Sequence, residues 1–319
     1  MKVAILLVLY MLLPGTAPGV DLDEAIQLYE MGQFRQAKNV LQQLKSTHPE
    51  EAEVSLWLGK TYIKMRQWKD AVREMEKAVQ LQPSNAQYHL WLGRAYGARA
   101  SHSIFITAIR WARRVVKEFE TARQLDPEDL GIRFDLMEFY LNAPGMIGGG
   151  KDKAEAEALA ISKLEPARGY TARAIILQKE KNWELAEKEL TEAAIQYPND
   201  ADAWKDLAEF LLERKEFKEA LVQVKKSLAL ESKSKKARLI EAAAQTRLKQ
   251  NLDEAVRILE ELAAGPLGDD DPAFEEVYYW LGECFRAKGD NVKARKAFLT
   301  ALSFNPEYDR AKESISKLN

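Results

Sequence analysis

Apolar positions along this chain follow a helical rhythm that short polar turns interrupt at regular intervals. Across residues 52–85, Leu56, Leu58, Gly59, Tyr62 and Ile63 fall at helical spacing. Arg66-Gln67 interrupts that stripe, and Trp68, Ala71, Val72, Met75, Ala78 and Val79 then lay down a second one. Pro83-Ser84-Asn85 ends the unit, with Asn85 placed to cap the helix that follows. The pattern predicts helix, short turn, helix.

The same frame comes back after 34 residues. Trp57-Leu58-Gly59 returns as Trp91-Leu92-Gly93, Tyr62 as Tyr96, Ala37 as Ala71, Ala186 as Ala220 and Pro49 as Pro83. Repeats of this length are stacked helical hairpins, which build an extended surface instead of an enzyme pocket. The small residues Gly59, Ala71 and Ala78 sit where two helices must approach closely. The predicted fold is all-α, a right-handed α-solenoid of about eight helix-turn-helix repeats with a C-terminal capping helix. The repeats fall at roughly 20–51, 52–85, 86–129, 130–166, 167–200, 201–234, 236–268 and 275–308, with the cap at 309–319.

The Trp-Leu-Gly...Tyr...Ala...Ala...Pro pattern resembles the tetratricopeptide repeat, over nearly the whole chain beyond residue 19. It departs at Ser232, where Pro is usual, at Met137, where a small residue is usual, and at Val115, where Ala is usual. The resemblance implies that the first helix of each unit lines a concave groove. By position, that groove would carry Leu56, Lys60, Leu90, Arg94, Phe134, Glu138, Lys205, Glu209, Tyr279 and Glu283, with Trp91 and Trp280 at its edge. Aromatic and charged anchors of this kind suit a protein or peptide ligand. Lys60 and Arg94 oppose Glu209 and Glu283 along the groove, which suits a ligand of changing polarity. The expected function is a non-catalytic binding scaffold; an oligomeric assembly module is an alternative.

The period breaks twice. Ala71 to Val115 spans ten residues too many, assigned to 97–106, and Val115 to Ala154 spans five too many, around 142–150. Both breaks lie between the two helices of a unit, so the inserted loops are expected on one edge, contributing to binding. In the second, Gly145 and Gly150-Lys151 match phosphate-loop spacing, but Asp152 stands where Ser or Thr would hold magnesium. The backbone N–H groups of Gly148, Gly149, Gly150 and Lys151 remain a possible anion loop. An anion- or nucleotide-binding protein or enzyme centred on the two insertions is therefore a second alternative. The Ala-Pro-Gly turn after Phe-Tyr-Leu, with Trp-Leu-Gly-Arg-Ala-Tyr-Gly in the third unit, resembles a group of exported bacterial tetratricopeptide proteins.

With 46% hydrophobic and 30% charged residues and a net charge of -2, nothing drives the chain as a whole toward nucleic acid or anionic membrane. The densest basic stretch is a stripe of Arg110, Arg113, Arg114 and Lys117, with Glu118 and Glu120 beside it. Such a stripe suits an acidic partner or lipid headgroups, or is simply a solvated helix face. No nucleic-acid partner is expected for it.

His48, His89 and His102 form no His-Glu-x-x-His pair, and the single cysteine, Cys284, rules out a Cys-rich zinc site and an intrachain disulfide. Asp269-Asp270-Asp271-Pro272 lacks calcium-loop spacing and reads as a helix cap with Pro in the first turn. No catalytic residue, metal or cofactor is expected. Lys2, the apolar residues 3–13 and the small residues Ala17 and Gly19 read as a signal peptide, residues 1–19. The expected location is periplasmic or secreted, or inner-membrane tethered if that segment is retained.

Overall fold

The computed structural model describes residues 21–318. The proposed signal peptide lies outside them.

Among the described residues, sixteen α-helices pair into eight hairpins, and one more caps the end. The hairpins are α1 (Leu22–Glu30) with α2 (Phe34–Thr47), α3 (Ala52–Lys64) with α4 (Trp68–Leu81), and α5 (Ala86–Ser101) with α6 (Phe105–Leu125). Next come α7 (Leu130–Asn142) with α8 (Lys151–Leu164), α9 (Pro166–Lys179) with α10 (Trp183–Gln196), and α11 (Ala201–Glu213) with α12 (Phe217–Leu230). Then follow α13 (Lys235–Leu248) with α14 (Leu252–Ala264), α15 (Phe274–Ala287) with α16 (Asn291–Phe304), and the cap α17 (Asp309–Ser316). No strand occurs among the described residues.

Three repeated devices set the hairpin geometry. A glycine on the first helix faces a bulky residue on the second: a Cβ on Gly59, Gly93 or Gly282 would collide with Met75, Phe119 or Phe298. A tyrosine hydroxyl on the first helix bonds to the preceding unit: Tyr62 accepts from Gln42 Nε2 at 3.0 Å, and Tyr96 and Tyr140 donate to Glu76 and Glu120, both at 2.7 Å. A left-handed residue closes the turn inside many units: Gly32, Arg66, Lys181, Lys215, Lys249 and Gly289. Side-chain caps at Asn85, Asp129 and Asp200 start α5, α7 and α11.

The two insertions differ from each other. The ten extra residues are not a loop. They lengthen helices, so α5 and α6 have 16 and 21 residues where α3 and α4 have 13 and 14. Alanines 98, 100 and 108 favour that outcome. The other insertion is a 3₁₀ turn, Gly145–Ile147, followed by Gly148 in the left-handed region.

The solenoid turns far enough for its end to meet its beginning. Phe34 of α2 packs edge-on against Phe274 and Phe304, which stack on each other at 4.9 Å. Arg66 reaches Asn305 at 3.2 Å and pairs with Glu307. His102, at the end of the lengthened α5, stacks on Trp68 at 4.6 Å and bonds to Glu307 at 3.3 Å. The extra turn of α5 thus brings His102 to this seam.

Candidate functional site: the concave face

Three neighbouring pairs of first helices are tied across the concave side by ion pairs. Arg94 on α5 holds Asp135 on α7 at 2.6 Å, Arg168 on α9 holds Asp206 on α11 at 2.7 Å, and Arg247 on α13 holds Glu283 on α15 at 2.7 Å. Each guanidinium also lies over an aromatic face: Arg94 over Trp91, Arg168 over Phe134, Arg247 over Trp280. Position alone predicts Arg94, Phe134, Trp91, Trp280 and Glu283 for this face; the pairing of basic and acidic rungs is visible only in three dimensions.

The first three units are filled. The nine residues 265–273, which join α14 to α15, cross onto α1 and α3. Leu267 is buried, and its N–H donates to the Glu30 carbonyl at 2.7 Å. Asp269 accepts from Lys60 Nζ at 2.9 Å and from Tyr29 Oη at 2.7 Å. Lys60 Nζ sits between the rings of Trp57 and Trp91, at 4.1 and 4.4 Å from their centres. Burial and then Asp269 push the Tyr29 phenol well above its ordinary range. Burial pulls the Arg94 guanidinium down, but the bond to Asp135 and the fields of Asp135, Asp269 and Asp270 leave it raised overall. Asp271 does not cap α15 as its sequence suggests; it accepts from Gly268 N–H and Lys235 Nζ, both at 2.7 Å, and α15 starts only at Phe274.

The later units stay open. A cavity of about 760 Å³ lies between α11, α13, α15, α17 and the end of the linker. Glu209, Glu213, Glu276, Lys236, Arg247, Trp280 and Arg310 line it, over an apolar floor of Leu239, Ile240 and Ala243. Glu209 and Glu213 lie one helical turn apart on α11. Among the described residues, neither forms an ion pair. Burial raises both carboxyls above their ordinary range, with Asp206 and Glu213 adding to the rise at Glu209. Burial raises Glu276 as well, against the pull of Arg310. Glu213 and Glu276 escape the position-by-position reading; an i, i+4 search from Glu209 finds Glu213. Arg310 comes from the capping helix and carries no repeat signal.

The other predicted groove residues divide. Leu56 and Leu90 belong to the core between units, a correction to their placement on the groove surface. Large apolar side chains at closely packed helix crossings gain more from contact with neighbours than from exposure. Tyr279 is buried beneath Arg310, which lies 4.2 Å from its ring. Glu283 is buried and bonded to Arg247, Arg286 and Ser314. Lys205 is buried and pairs with Asp202 and Asp206. Glu138 is exposed at the groove edge, yet burial of its surroundings and then Asp135 raise its carboxyl.

The glycine turn leaves little for an anion. Gly148, Gly149 and Gly150 donate their N–H groups to Gly145, Pro144 and Tyr140, and Lys151 pairs with Glu180. A Cβ on Gly149 would strike the Ala143 carbonyl, so the residue serves a close backbone crossing. The possible anion loop is corrected to a turn whose glycine donors are spent.

The basic stripe is exposed along α6. Arg110 and Arg114 flank Trp111, at 5.6 and 5.0 Å, and Arg114 reaches Glu76. Glu118 and Glu120 do not answer the stripe; they bond to His89 at 2.6 Å and Tyr140 at 2.7 Å. At its N-terminal end Ile104, Phe105 and Ile106 are each 77–79% exposed. Cys284, in contrast, is buried with its thiol against the Leu252 carbonyl, and burial raises its pKa.

Tetratricopeptide repeat profiles match residues 28–95, 171–231 and 275–308. No curated protein sequence matches the chain. Among solved structures, yeast Tom70 superposes with a TM-score of 0.59 at 16% identity, over 96% of this chain. The chain spans 65% of the length of that Tom70 chain. A human IFIT1 dimer with m7Gppp-AAAA superposes with a TM-score of 0.50 at 14% identity, over 93% of this chain and 71% of the other. At these identities the likeness is one of fold.

Proposed function

The chain belongs to the tetratricopeptide repeat family, whose members generally serve as protein-interaction scaffolds, and we propose that it captures a partner segment bearing lysine or arginine in the C-terminal half of its concave face. One observation carries this reading. Glu209 and Glu213 line a cavity of about 760 Å³ with no ion-pair partner among the described residues. A cation entering there gains two carboxylates that no ion pair among the described residues already holds. The wall of Trp280 offers its flanking apolar atoms a surface, and the rigid helices keep the ordering cost of the site low. The reading assigns the chain no catalysis.

Titration calorimetry with a Lys/Arg-rich peptide tests it. Glu209→Gln/Glu213→Gln should weaken binding by about tenfold or more, in line with the loss of charge-assisted contacts. Binding unchanged in the double variant would end the proposal.

We further propose that the scaffold works outside the cytoplasm, with residues 1–19 as the export signal. The apolar run with its small-residue exit supports this. N-terminal sequencing of the protein made in its own host tests it: a chain beginning near Val20 is expected, and an intact Met1 would overturn the cleavage.

A second reading concerns the long hairpin of α5 and α6. Its exposed Ile104, Phe105 and Ile106, beside Arg110, Arg113 and Lys117, suit contact with an anionic membrane surface. Flotation with phosphatidylglycerol vesicles should be lost in Phe105→Ser; equal flotation of both forms would refute it.

A further inference from the structure

The linker in the first three units has the anatomy of a bound peptide. It belongs to neither flanking helix, it turns over residues 268–271, and it meets α1 and α3 through three separable contacts. The first is Leu267, buried at 4% exposure. The second is the single backbone bond from Leu267 N–H to the Glu30 carbonyl, 2.7 Å. The third is Asp269, whose two oxygens take Lys60 Nζ and Tyr29 Oη. Neighbouring Pro266 and Asp270 remain exposed. We propose that the groove of units one to three is a second recognition site, for a short non-helical segment carrying an acidic residue two positions after an apolar one. The chain's own residues 265–273 are its resident occupant.

The receiving side is built for a carboxylate. Lys60 is 7% exposed, fixed between two indole rings, and Asp269 is the only partner to which it donates among the described residues. An ammonium so enclosed needs an anion, and a vacated site would hold an uncompensated charge. The aromatic slot fixes where that anion must sit. Leu267 and Asp269 lie two apart at the entry to a turn, in which Asp271 N–H donates to the Gly268 carbonyl at 3.3 Å. An incoming segment of the same pattern can therefore replace both contacts at once.

Displacement would not be free. The linker competes as an intramolecular ligand, at an effective concentration in the millimolar range for a short tether. Its release also disturbs the other half of the molecule. Asp271, Pro272 and Ala273, the last residues of the linker, line the C-terminal cavity. Occupancy of the first groove by an outside segment thus moves a wall of the second, and the two sites must influence each other equally.

The test uses the full chain and a labelled peptide with the sequence of residues 264–274, followed by fluorescence anisotropy. Asp269→Asn weakens the resident occupant, so this variant should bind the peptide at least about tenfold tighter than the unaltered chain does. Adding Lys60→Gln to that variant should return the affinity to the unaltered level or below. Equal binding by all three proteins overturns the proposal. Hydrogen exchange on the unaltered chain covers the case in which the variants fail to fold. Amides of residues 267–270 should exchange at least about tenfold faster than those in the middle of α15, as in a locally opening segment. Exchange at the same rate as α15 would make the linker part of the cooperative core, and the proposal would fail.

Discussion

The two halves of the concave face use one scaffold for opposite purposes. In the first three units the basic groups of the concave face have found partners: Lys60 has Asp269, and Arg94 has Asp135. Around α11 the balance is left open. Glu209 and Glu213 face a cavity with no ion-pair partner among the described residues, and burial raises their carboxyls. The repeat sets where a side chain stands but does not set its charge. Evolution of a 34-residue unit can therefore turn one stretch of groove into a closed seam and another into a receptive surface without disturbing the backbone.

The largest expected effect comes from removing one carboxylate in each half. Asp269→Ala strands Lys60 and the Tyr29 hydroxyl inside the seam, and should cost about 3 kcal/mol in urea unfolding, the lower end for breaking a buried pair. Glu209→Ala removes an acid that has no ion-pair partner, and should leave stability unchanged or raised. Equal losses in the two variants would erase the distinction between the halves.

The seam itself can be stressed at its glycine. Gly32 is left-handed, and a Cβ there would stand 3.0 Å from Phe274 and Phe304. Gly32→Ala should cost about 2 kcal/mol, from backbone strain together with crowding of those rings. Gly289 holds the same turn position in the eighth unit, with nothing within 4 Å of its Cβ direction. Gly289→Ala should cost only the backbone share, about 1 kcal/mol. Thermal unfolding of the pair separates the two contributions.

These contrasts also mark how far the sequence could be read. The hairpins were legible because their determinants recur: Gly59, Gly93 and Gly282 each face a bulky residue on the next helix, and tyrosines 62, 96 and 140 each bond twenty residues back. The lengthened α5 and α6 were countable as ten extra residues, but the count alone does not separate helix from loop. The alanines within the insertion were the neglected signal. The seam was illegible. Lys60 and Asp269 are 209 residues apart, and their meeting depends on the accumulated rotation of every intervening unit. A small angular term per repeat, summed over the chain, leaves no local mark. For the same reason position could nominate Lys60 for the groove without revealing that the chain itself fills it.

A titration sharpens the comparison next. The folded carboxyls of Glu209 and Glu213 are raised from a reference near 4.5. Between that reference and the raised folded values, the native state holds more protons than the unfolded state, so stability falls as pH rises through the window. Above it the penalty is fully present. Glu209→Gln/Glu213→Gln should therefore stabilise the chain at pH 7, by under about 1 kcal/mol because solvent still reaches both groups. Below pH 4 the gain should vanish. Melting curves across that range check the sign; a double variant less stable at pH 7 would show that the two acids hold the fold together instead of serving a ligand.

The smallest effect sets one backbone position against itself. Arg66 and Lys181 are both left-handed residues in the turn inside a unit, with φ of 59° and 62°. Glycine relieves the clash between Cβ and the carbonyl that this conformation imposes. The Lys181 side chain is exposed, so Lys181→Gly keeps only that relief and should gain about 0.5 kcal/mol. Arg66 has work on the seam: it bonds to Asn305, pairs with Glu307, and lies 5.2 Å from the Trp68 ring. Arg66→Gly removes those contacts along with the strain, and should lose about 1 kcal/mol net, since each half-exposed charged bond contributes modestly. Chemical denaturation resolves opposite signs more securely than their sizes. If Arg66→Gly stabilises the chain as Lys181→Gly does, the Arg66 contacts between the second and eighth units contribute nothing to the fold, and the closed half of the solenoid is closed by Phe34, His102, Leu267 and Asp269 instead.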